Sequence, residues 1–171
     1  IANNSSTGYA GGIYKVNSVQ FSSGGEVSPT YFNAPDGYAP ISAVAIDQKN
    51  SRVYGMVSSE VFYWGYDGLP IDGVLFFSPS AESIEGLAVD IDGNVYVSGQ
   101  ISSIGVFSWI GKYSSTGIEL ATYTGIVSET ITDITILNNE LYATKTGGVA
   151  KIERFDLELN LLDSYGSSGS E

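Results

Sequence analysis

The sequence contains no cysteine and no histidine. Without cysteine the chain can form neither a disulfide framework nor a thiolate metal site, and its composition does not indicate a redox compartment. Without histidine it lacks the commonest general base and the commonest transition-metal ligand. A Ser–His catalytic relay therefore cannot be built from this chain.

Basic residues are scarce, because 7 Lys and Arg stand against 19 Asp and Glu, a formal net charge of −12. Nucleic acids and anionic membrane surfaces are bound mainly through Lys and Arg, so neither is an expected partner. The chain also has no apolar run of about 18 residues and no signal-peptide pattern, so we expect no membrane span. Since it starts at Ile1, we expect it to have been cut from a longer polypeptide.

Glycine (21 residues), tyrosine (12), serine and threonine are abundant, and 43% of the residues are hydrophobic. This apolar content is enough for a sizeable core, and the length fits one domain. Only 15% of residues are charged, a composition that we associate with exported microbial surface proteins. We therefore expect an extracellular or cell-surface location. Asn3 and Asn4 each begin an N-glycosylation sequon and are candidate glycosylation sites.

One sequence pattern occurs three times. It reads ISAVAIDQKNSRVYGM from Ile41, IEGLAVDIDGNVYVSG from Ile84 and ITDITILNNELYATKT from Ile131. Each copy has an apolar run, a polar turn, and an apolar residue followed by Tyr, which predicts a β-hairpin. Two further strand-like runs follow each hairpin. The repeating unit is therefore four strands, with Tyr54, Tyr96 and Tyr142 at equivalent buried sites on the second strands.

Repeats of about 40 to 50 residues with four short strands and Gly-rich connections are typical of β-propeller blades. We predict an all-β fold, a β-propeller fragment of about three and a half four-stranded antiparallel blades. Residues 1–40 are predicted to form the outer strands of a partial first blade and a connector, and residues 41–83, 84–130 and 131–171 a blade each. Together they form one incomplete propeller domain.

Open sheet edges template aggregation, so such a fragment must be closed by something. The candidate partners are another copy of the chain and the remainder of a larger polypeptide, and the start inside a strand favours the larger polypeptide.

Three stretches, Gly86–Val97, Arg154–Asp156 and Asp163–Gly166, resemble NHL-type repeats of six-bladed propellers. The resemblance covers most of the chain from Ile41 to Gly166. The sequence departs from the NHL pattern at Ser98-Gly99, where that pattern often has Asp, and the third repeat has Leu137 where the other two have Asp. Propellers of this plan include gluconolactonases, streptogramin lyase, low-density-lipoprotein receptor propellers and non-catalytic binding modules. The resemblance therefore implies a fold and does not select a function.

Glu85 and Asp133 lie where two of the predicted innermost strands begin, and these starts converge on the mouth of a propeller channel. The resemblance to lactonase-like propellers implies a divalent cation at that place, so the two carboxylates are candidate ligands for Ca²⁺ or a similar ion. The alternative is a solvated strand entrance, in which case no cofactor is needed. The run from Asp90 to Asn94 superficially resembles a calcium loop, but it lacks the later bidentate Glu and is explained by a hairpin turn.

Aromatic residues cluster around Trp64 and Trp109, where large rings are either a stacking platform for a ligand or filling between twisted blades. Tyr38, in a Pro-containing connector, is a further candidate binding residue. With these features the favoured function is an extracellular structural or binding module that engages protein or glycan surfaces, or another copy of itself. The alternative is a metal-dependent lactonase-like hydrolase with a cation at the channel.

Overall fold

The computed structural model describes residues 13–15, 30–32, 41–66, 70–77, 81–102, 105–147 and 149–166. Three predicted site residues, Asn3, Asn4 and Tyr38, lie outside these ranges. The regular structure within the ranges is β-strand, and no described helix is long and apolar enough to cross a membrane.

The strands form one two-stranded sheet and three four-stranded sheets. The two-stranded sheet pairs β1 (Ile13–Lys15) with β2 (Thr30–Phe32). Blade 1 consists of β3 (Ala43–Asp47), β4 (Arg52–Val57), β5 (Glu60–Gly65) and β6 (Pro70–Phe77). Blade 2 consists of β7 (Ala81–Val89), β8 (Val95–Ser102), β9 (Val106–Tyr113) and β10 (Glu119–Val127). Blade 3 consists of β11 (Thr130–Leu137), β12 (Glu140–Thr146), β13 (Lys151–Asp156) and β14 (Leu161–Tyr165).

Within each blade the strands pair antiparallel in chain order, and the first strands β3, β7 and β11 lie next to one another. This is the arrangement of propeller blades, with the first strand of each blade innermost. The predicted fold class, an all-β propeller fragment, is confirmed.

The turns of the innermost hairpins lie where the sequence predicts them, and their residues have positive φ angles. Asn138 and Asn139, between β11 and β12, have φ values of 52° and 61°. Two consecutive left-handed residues make the two-residue turn that matches the twist of paired strands, and Asn tolerates it. Gly93 serves the same purpose between β7 and β8, with φ 83°.

A side-chain-capped loop stabilises the hairpin of Asp90. Its Oδ1 accepts the backbone N–H groups of Asp92 and Asn94, at 2.9 Å each, while its Oδ2 accepts Asn94 Nδ2 at 2.8 Å. Asp156, at the end of β13, and Asn160, just before β14, repeat this geometry with distances of 2.8 and 2.9 Å. One loop design therefore closes an inner hairpin of blade 2 and an outer hairpin of blade 3.

The core lies between blades, because the middle strands of blade 2 are buried on both faces and those of blade 3 on the face toward blade 2. One cluster joins blade 1, through Tyr54 and Val61, to blade 2, through Leu87 and Trp109. A second cluster joins the opposite face of blade 2 to blade 3 and includes Tyr96, Ile110, Leu141 and Phe155. Burial of each such side chain contributes roughly 1.5–3 kcal/mol.

The three repeat tyrosines occupy matching sites on the second strands, as predicted. They pair with Ala45, Ala88 and Thr135 of the adjacent innermost strands. Tyr54 and Tyr96 are fully buried, but the expectation of burial is wrong for Tyr142, which is half-buried. The reason is that Tyr142 points to the outer face of blade 3, on which no described strand packs.

Candidate functional site on the open face of blade 3

The junction between blades 1 and 2 shows how one blade holds the next. Arg52 Nη1 donates to the carbonyl oxygen of Ser115, in the hairpin between the third and fourth strands of blade 2, at 2.9 Å. The guanidinium also lies 4.8 Å from the ring centroid of Tyr63. Arg52 of blade 1 therefore binds the outer hairpin of blade 2.

The junction between blades 2 and 3 uses the same plan. The hydroxyl of Tyr96 lies 2.9 Å from the carbonyl oxygen of Leu157, and Lys112 Nζ lies 2.7 Å from Glu158 Oε1. Leu157 and Glu158 belong to the outer hairpin of blade 3. Burial, followed by the nearby Asp90 carboxylate, raises the pKa of Tyr96, so this hydroxyl stays a neutral hydrogen-bonding group.

Blade 3 carries an equivalent set of residues on its outward face. In blade 2, Tyr96 is directly opposite Lys112 on the third strand, and in blade 3, Tyr142 is directly opposite Arg154. Ile152 corresponds in the same way to the fully buried Ile110, yet it is 43% exposed. The outward face of blade 3 therefore carries side chains at the same pairing positions as the face of blade 2 that packs on blade 3, but no described blade packs on it.

A depression with a volume of about 280 Å³ lies in this face. Its lining is mainly apolar and includes Leu137, Tyr142, Thr144 and Ile152. Leu137 is 59% exposed, whereas its counterparts in the repeat, Asp47 and Asp90, are buried. We define the open face as Thr135, Leu137, Tyr142, Thr144, Ile152 and Arg154.

The charged group of the open face is loosely held. Arg154 Nη1 lies 3.5 Å from Glu140 Oε1, and Nη2 lies 3.9 Å from Asp163 Oδ2. Its Nε is buried and has no hydrogen-bond partner. Tyr142 donates its hydroxyl to Glu140 Oε2 at 2.8 Å, and this bond raises the pKa of Tyr142. Compared with Lys112 and its 2.7 Å partner, Arg154 keeps unused donor capacity.

Buried charges lie at the other side of blade 3. Lys145 Nζ is 2.7 Å from Glu153 Oε2 and 3.3 Å from Glu129 Oε2. Lys151 bridges the other oxygens of the same two carboxylates, at 2.8 and 3.1 Å. Tyr123 of blade 2 lies 3.3 Å from Lys145 Nζ, so the network ties the two blades together.

The predicted cation ligands lie in the middle of neighbouring innermost strands, at irregularities of the pairing, because β7 begins at Ala81 and β11 at Thr130. The expectation that they stand at the strand starts is wrong, since the strands extend further toward the N-terminus than the repeat pattern shows. Glu85 and Asp133 are both exposed, and Asp133 Oδ1 accepts the backbone N–H of Ile134 at 2.9 Å. Asp133 also lines the depression of the open face. No cluster of three or more acidic side chains suited to a metal ion occurs among the described residues. The cation site, and the lactonase-like function that depends on it, stays a prediction.

Trp64 and Trp109 lie inside the molecule. Trp64 is 2% exposed and Trp109 is 4% exposed, and both belong to hydrophobic clusters. In the described structure their rings fill the space around blades and do not present a stacking platform. Asp90 likewise uses both carboxylate oxygens in its hairpin, as the turn interpretation expects.

Two functional features were missed by the sequence analysis. The cations on the third strands of blades 2 and 3 had a detectable signal, because the run from Lys112 to Gly117 aligns with the run from Arg154 to Leu159. The network of Lys145 had none, since its contacts depend on how the strands of blade 3 pair with one another and on how Tyr123 of blade 2 packs against them.

The comparisons with known proteins support the fold. No protein-family model and no curated protein matches the chain. A solved structure of a protein of unknown function from Bacteroides caccae is similar, with 16% identity and a TM-score of 0.57 over 84% of this chain and 51% of that one. The WD40 domain of Pan2 from Neurospora crassa is similar with 13% identity and a TM-score of 0.60, over 82% of this chain and 40% of that one.

At these identities the likeness shows a β-propeller fold and nothing finer. The chain spans about half the length of the structures that it matches.

Proposed function

We propose that this chain is a non-enzymatic protein-interaction module of the β-propeller class, and that it binds a further blade through the open face of blade 3. The observation that carries the proposal is the exposure of Ile152, whose counterparts Val61 and Ile110 are buried at the two junctions within the chain, together with the exposed Leu137 in the same depression. Apolar surface left open in this way favours association, because its burial is the main driving force for packing blades.

Further features belong to the same proposal. The NHL-like sequence pattern favours the six-bladed type of propeller, and the acidic, Ser-, Thr- and Gly-rich composition favours an extracellular or cell-surface location. The carboxylates of Asp90 and Asp156 are used in hairpin loops, and those of Glu129 and Glu153 in ion pairs. This use of acidic groups for structure favours binding over hydrolysis. Glycan binding at another face remains part of the proposal.

The test is the mass of the purified chain in solution, measured by light scattering across a wide concentration range. We expect a mass that rises above 18.1 kDa with concentration for the natural sequence. Ile152→Lys places an ammonium in the middle of the open face and should return the mass to that of a single chain. Ile91→Lys is the matched control, since Ile91 is exposed in the hairpin between β7 and β8, away from the open face.

A single-chain mass at every concentration would contradict association through this face. Equal effects of the two substitutions would also contradict it, because a general gain of positive charge would then explain the result.

A further inference from the structure

Three hairpin loops in this chain share one backbone design. They comprise residues 90–94 and 114–118 of blade 2 and residues 156–160 of blade 3. In each loop the carbonyl oxygen of the first residue accepts the backbone N–H of the fourth, at 2.9 to 3.1 Å. The side-chain oxygen of the first residue accepts the N–H groups of the third and fifth residues. The fourth residue has a positive φ in all three loops, so the design requires a left-handed residue there.

Leucine occupies the left-handed position in blade 3. Gly93 and Gly117 occupy it in blade 2, with φ values of 83° and 82°, and glycine has no Cβ atom to oppose them. Leu159 has a φ of 65°. For a residue with a Cβ atom this conformation lowers the folding equilibrium constant by a factor of roughly 5 to 30. The hairpin of blade 3 is therefore strained at Leu159, unlike its two counterparts.

Contacts with blade 2 offset this strain. Leu159 is 5% exposed and belongs to the hydrophobic cluster at the junction of blades 2 and 3. The carbonyl oxygen of Leu157 lies 2.9 Å from the hydroxyl of Tyr96. Glu158 Oε1 lies 2.7 Å from Lys112 Nζ. Burial of a leucine side chain stabilises by more than a left-handed φ costs, but only while blade 2 covers the side chain.

We infer that residues 156–160 are a latch between blades 2 and 3, closed by docking on blade 2. In the docked state the buried side chain holds Leu159 in the left-handed conformation. When blade 3 separates from blade 2, the burial is lost and the turn relaxes to release the strain. The latch thereby controls the exposure of a second apolar face of blade 3, which carries Leu141 and Phe155. It lies at a junction within the chain and is separate from the open face.

The strain is tested by urea unfolding of Leu159→Gly and Leu159→Ala. Both variants lose the buried side chain, but only alanine keeps the Cβ atom that opposes the left-handed φ. The unfolding equilibrium constant of Leu159→Ala should therefore exceed that of Leu159→Gly by about threefold or more. At a position with a negative φ the order is the reverse, because glycine gains more conformational freedom on unfolding.

Gly117→Ala is the matched control, since it adds a Cβ atom at the same loop position in blade 2. It should raise the unfolding equilibrium constant by a similar factor. A Leu159→Ala variant that is as stable as Leu159→Gly, or more stable, would overturn the strain and with it the latch.

The coupling to blade 2 is tested by the hydrogen-exchange rates of the Leu159 and Asn160 amides, both of which are hydrogen-bonded within the latch. Tyr96→Phe removes the hydroxyl that lies 2.9 Å from the carbonyl oxygen of Leu157 and 3.1 Å from Asp90 Oδ2. This substitution should speed the exchange of both latch amides about three- to tenfold, while the amides of β4 in blade 1 keep their rates.

Lys112→Met removes the ion pair with Glu158 and should speed the same two amides. Tyr54→Phe is the control, because Tyr54 is the equivalent tyrosine at the junction of blades 1 and 2, and it should leave the latch amides unchanged. Latch amides that keep their rates in Tyr96→Phe and Lys112→Met would show that the turn holds without blade 2 and would overturn the coupling. An equal acceleration of all amides would also overturn it, since the whole molecule would then unfold in one step.

Discussion

Lys145 keeps a positive charge inside the junction of blades 2 and 3, where its side chain is 0% exposed. Burial lowers the pKa of Lys145, but hydrogen bonds to Glu153 and Tyr123 outweigh this effect and raise it. Burial likewise raises the pKa of Glu129, and the hydrogen bonds from Lys151 and Lys145 lower it by more. The two lysines and two glutamates therefore stabilise one another's charged forms, whereas a single buried charge without partners would be strongly destabilising.

Lys145→Met is predicted to lower the free energy of unfolding by about 3 kcal/mol, since it leaves the carboxylate of Glu153 buried with less compensation. The combined change Lys145→Met and Glu153→Met should recover much of the loss, because an apolar pair of similar volume replaces the ion pair. Urea denaturation measures both values.

The matched control for this prediction is Lys49→Met, which removes the exposed ion pair with Asp92. It should change stability by less than about 0.5 kcal/mol. A loss for Lys145→Met as small as that of the control would show that the buried network contributes little.

At the level of whole elements, the spacing between innermost strands depends on Gly86 of β7. A Cβ atom at this position would lie 2.6 Å from Ser98 Oγ and 2.9 Å from the backbone nitrogen of Ile134 in β11. Ser98 can rotate its hydroxyl, but the backbone of the next blade cannot move without shifting the whole sheet. The absence of a side chain at one residue thus sets how closely blades 2 and 3 approach.

Gly86→Ala is predicted to destabilise the molecule by about 1–3 kcal/mol through overpacking of this junction. The midpoint of urea unfolding should fall while its slope stays the same. Gly105→Ala is the control, because a Cβ atom there meets first the side chain of Val127 at 3.3 Å, and that side chain is exposed. Equal midpoints for both variants would mean that the two innermost strands separate at little cost.

For the whole molecule, composition determines how stability depends on pH. The chain has neither histidine nor cysteine, so no side chain has an ordinary pKa between about 5 and 9. The pKa of Asp156 is lowered, first by the side-chain and backbone hydrogen bonds of Asn160, and the pKa of Glu129 is lowered by its lysines. The pKa of Lys151 is raised, mainly by its hydrogen bond to Glu129, and that of Lys145 is raised as well.

These pKa shifts predict that the stability is nearly constant around neutral pH and falls toward both acid and alkaline pH. The lowered carboxyl pKa values contribute stability above about pH 4, the ordinary range of these groups, and that contribution is lost as the pH falls through the folded values. The raised lysine pKa values contribute stability below about pH 10.4, which is lost as the pH rises through the folded values.

Urea midpoints measured from about pH 3 to pH 11 test this prediction. The midpoints should change little between about pH 5 and pH 9. A marked change of the urea midpoint near neutral pH would contradict the prediction, because it would require another group that titrates in this range.

The sequence alone determined the repeating hairpins of this protein. The alternation of apolar and polar residues, the turn residues at Asn138-Asn139 and Asp92-Gly93, and the recurring Tyr depend on neighbours a few residues away, so the pattern is sufficient to predict them. The sequence also excluded chemistry that needs thiol or imidazole groups. It predicted the propeller class because three copies of one unit leave few other folds.

Only the tertiary structure decided which face of each blade is covered. Trp64 and Trp109 were candidates for a binding platform until the packing placed them in the core, and Tyr142 was expected to be buried like its counterparts. Burial of a strand face depends on whether another sheet lies against it, and no local pattern records that. For the same reason, the partners of Lys145 and the unused donors of Arg154 could be identified only once the pairing and packing of the strands were known.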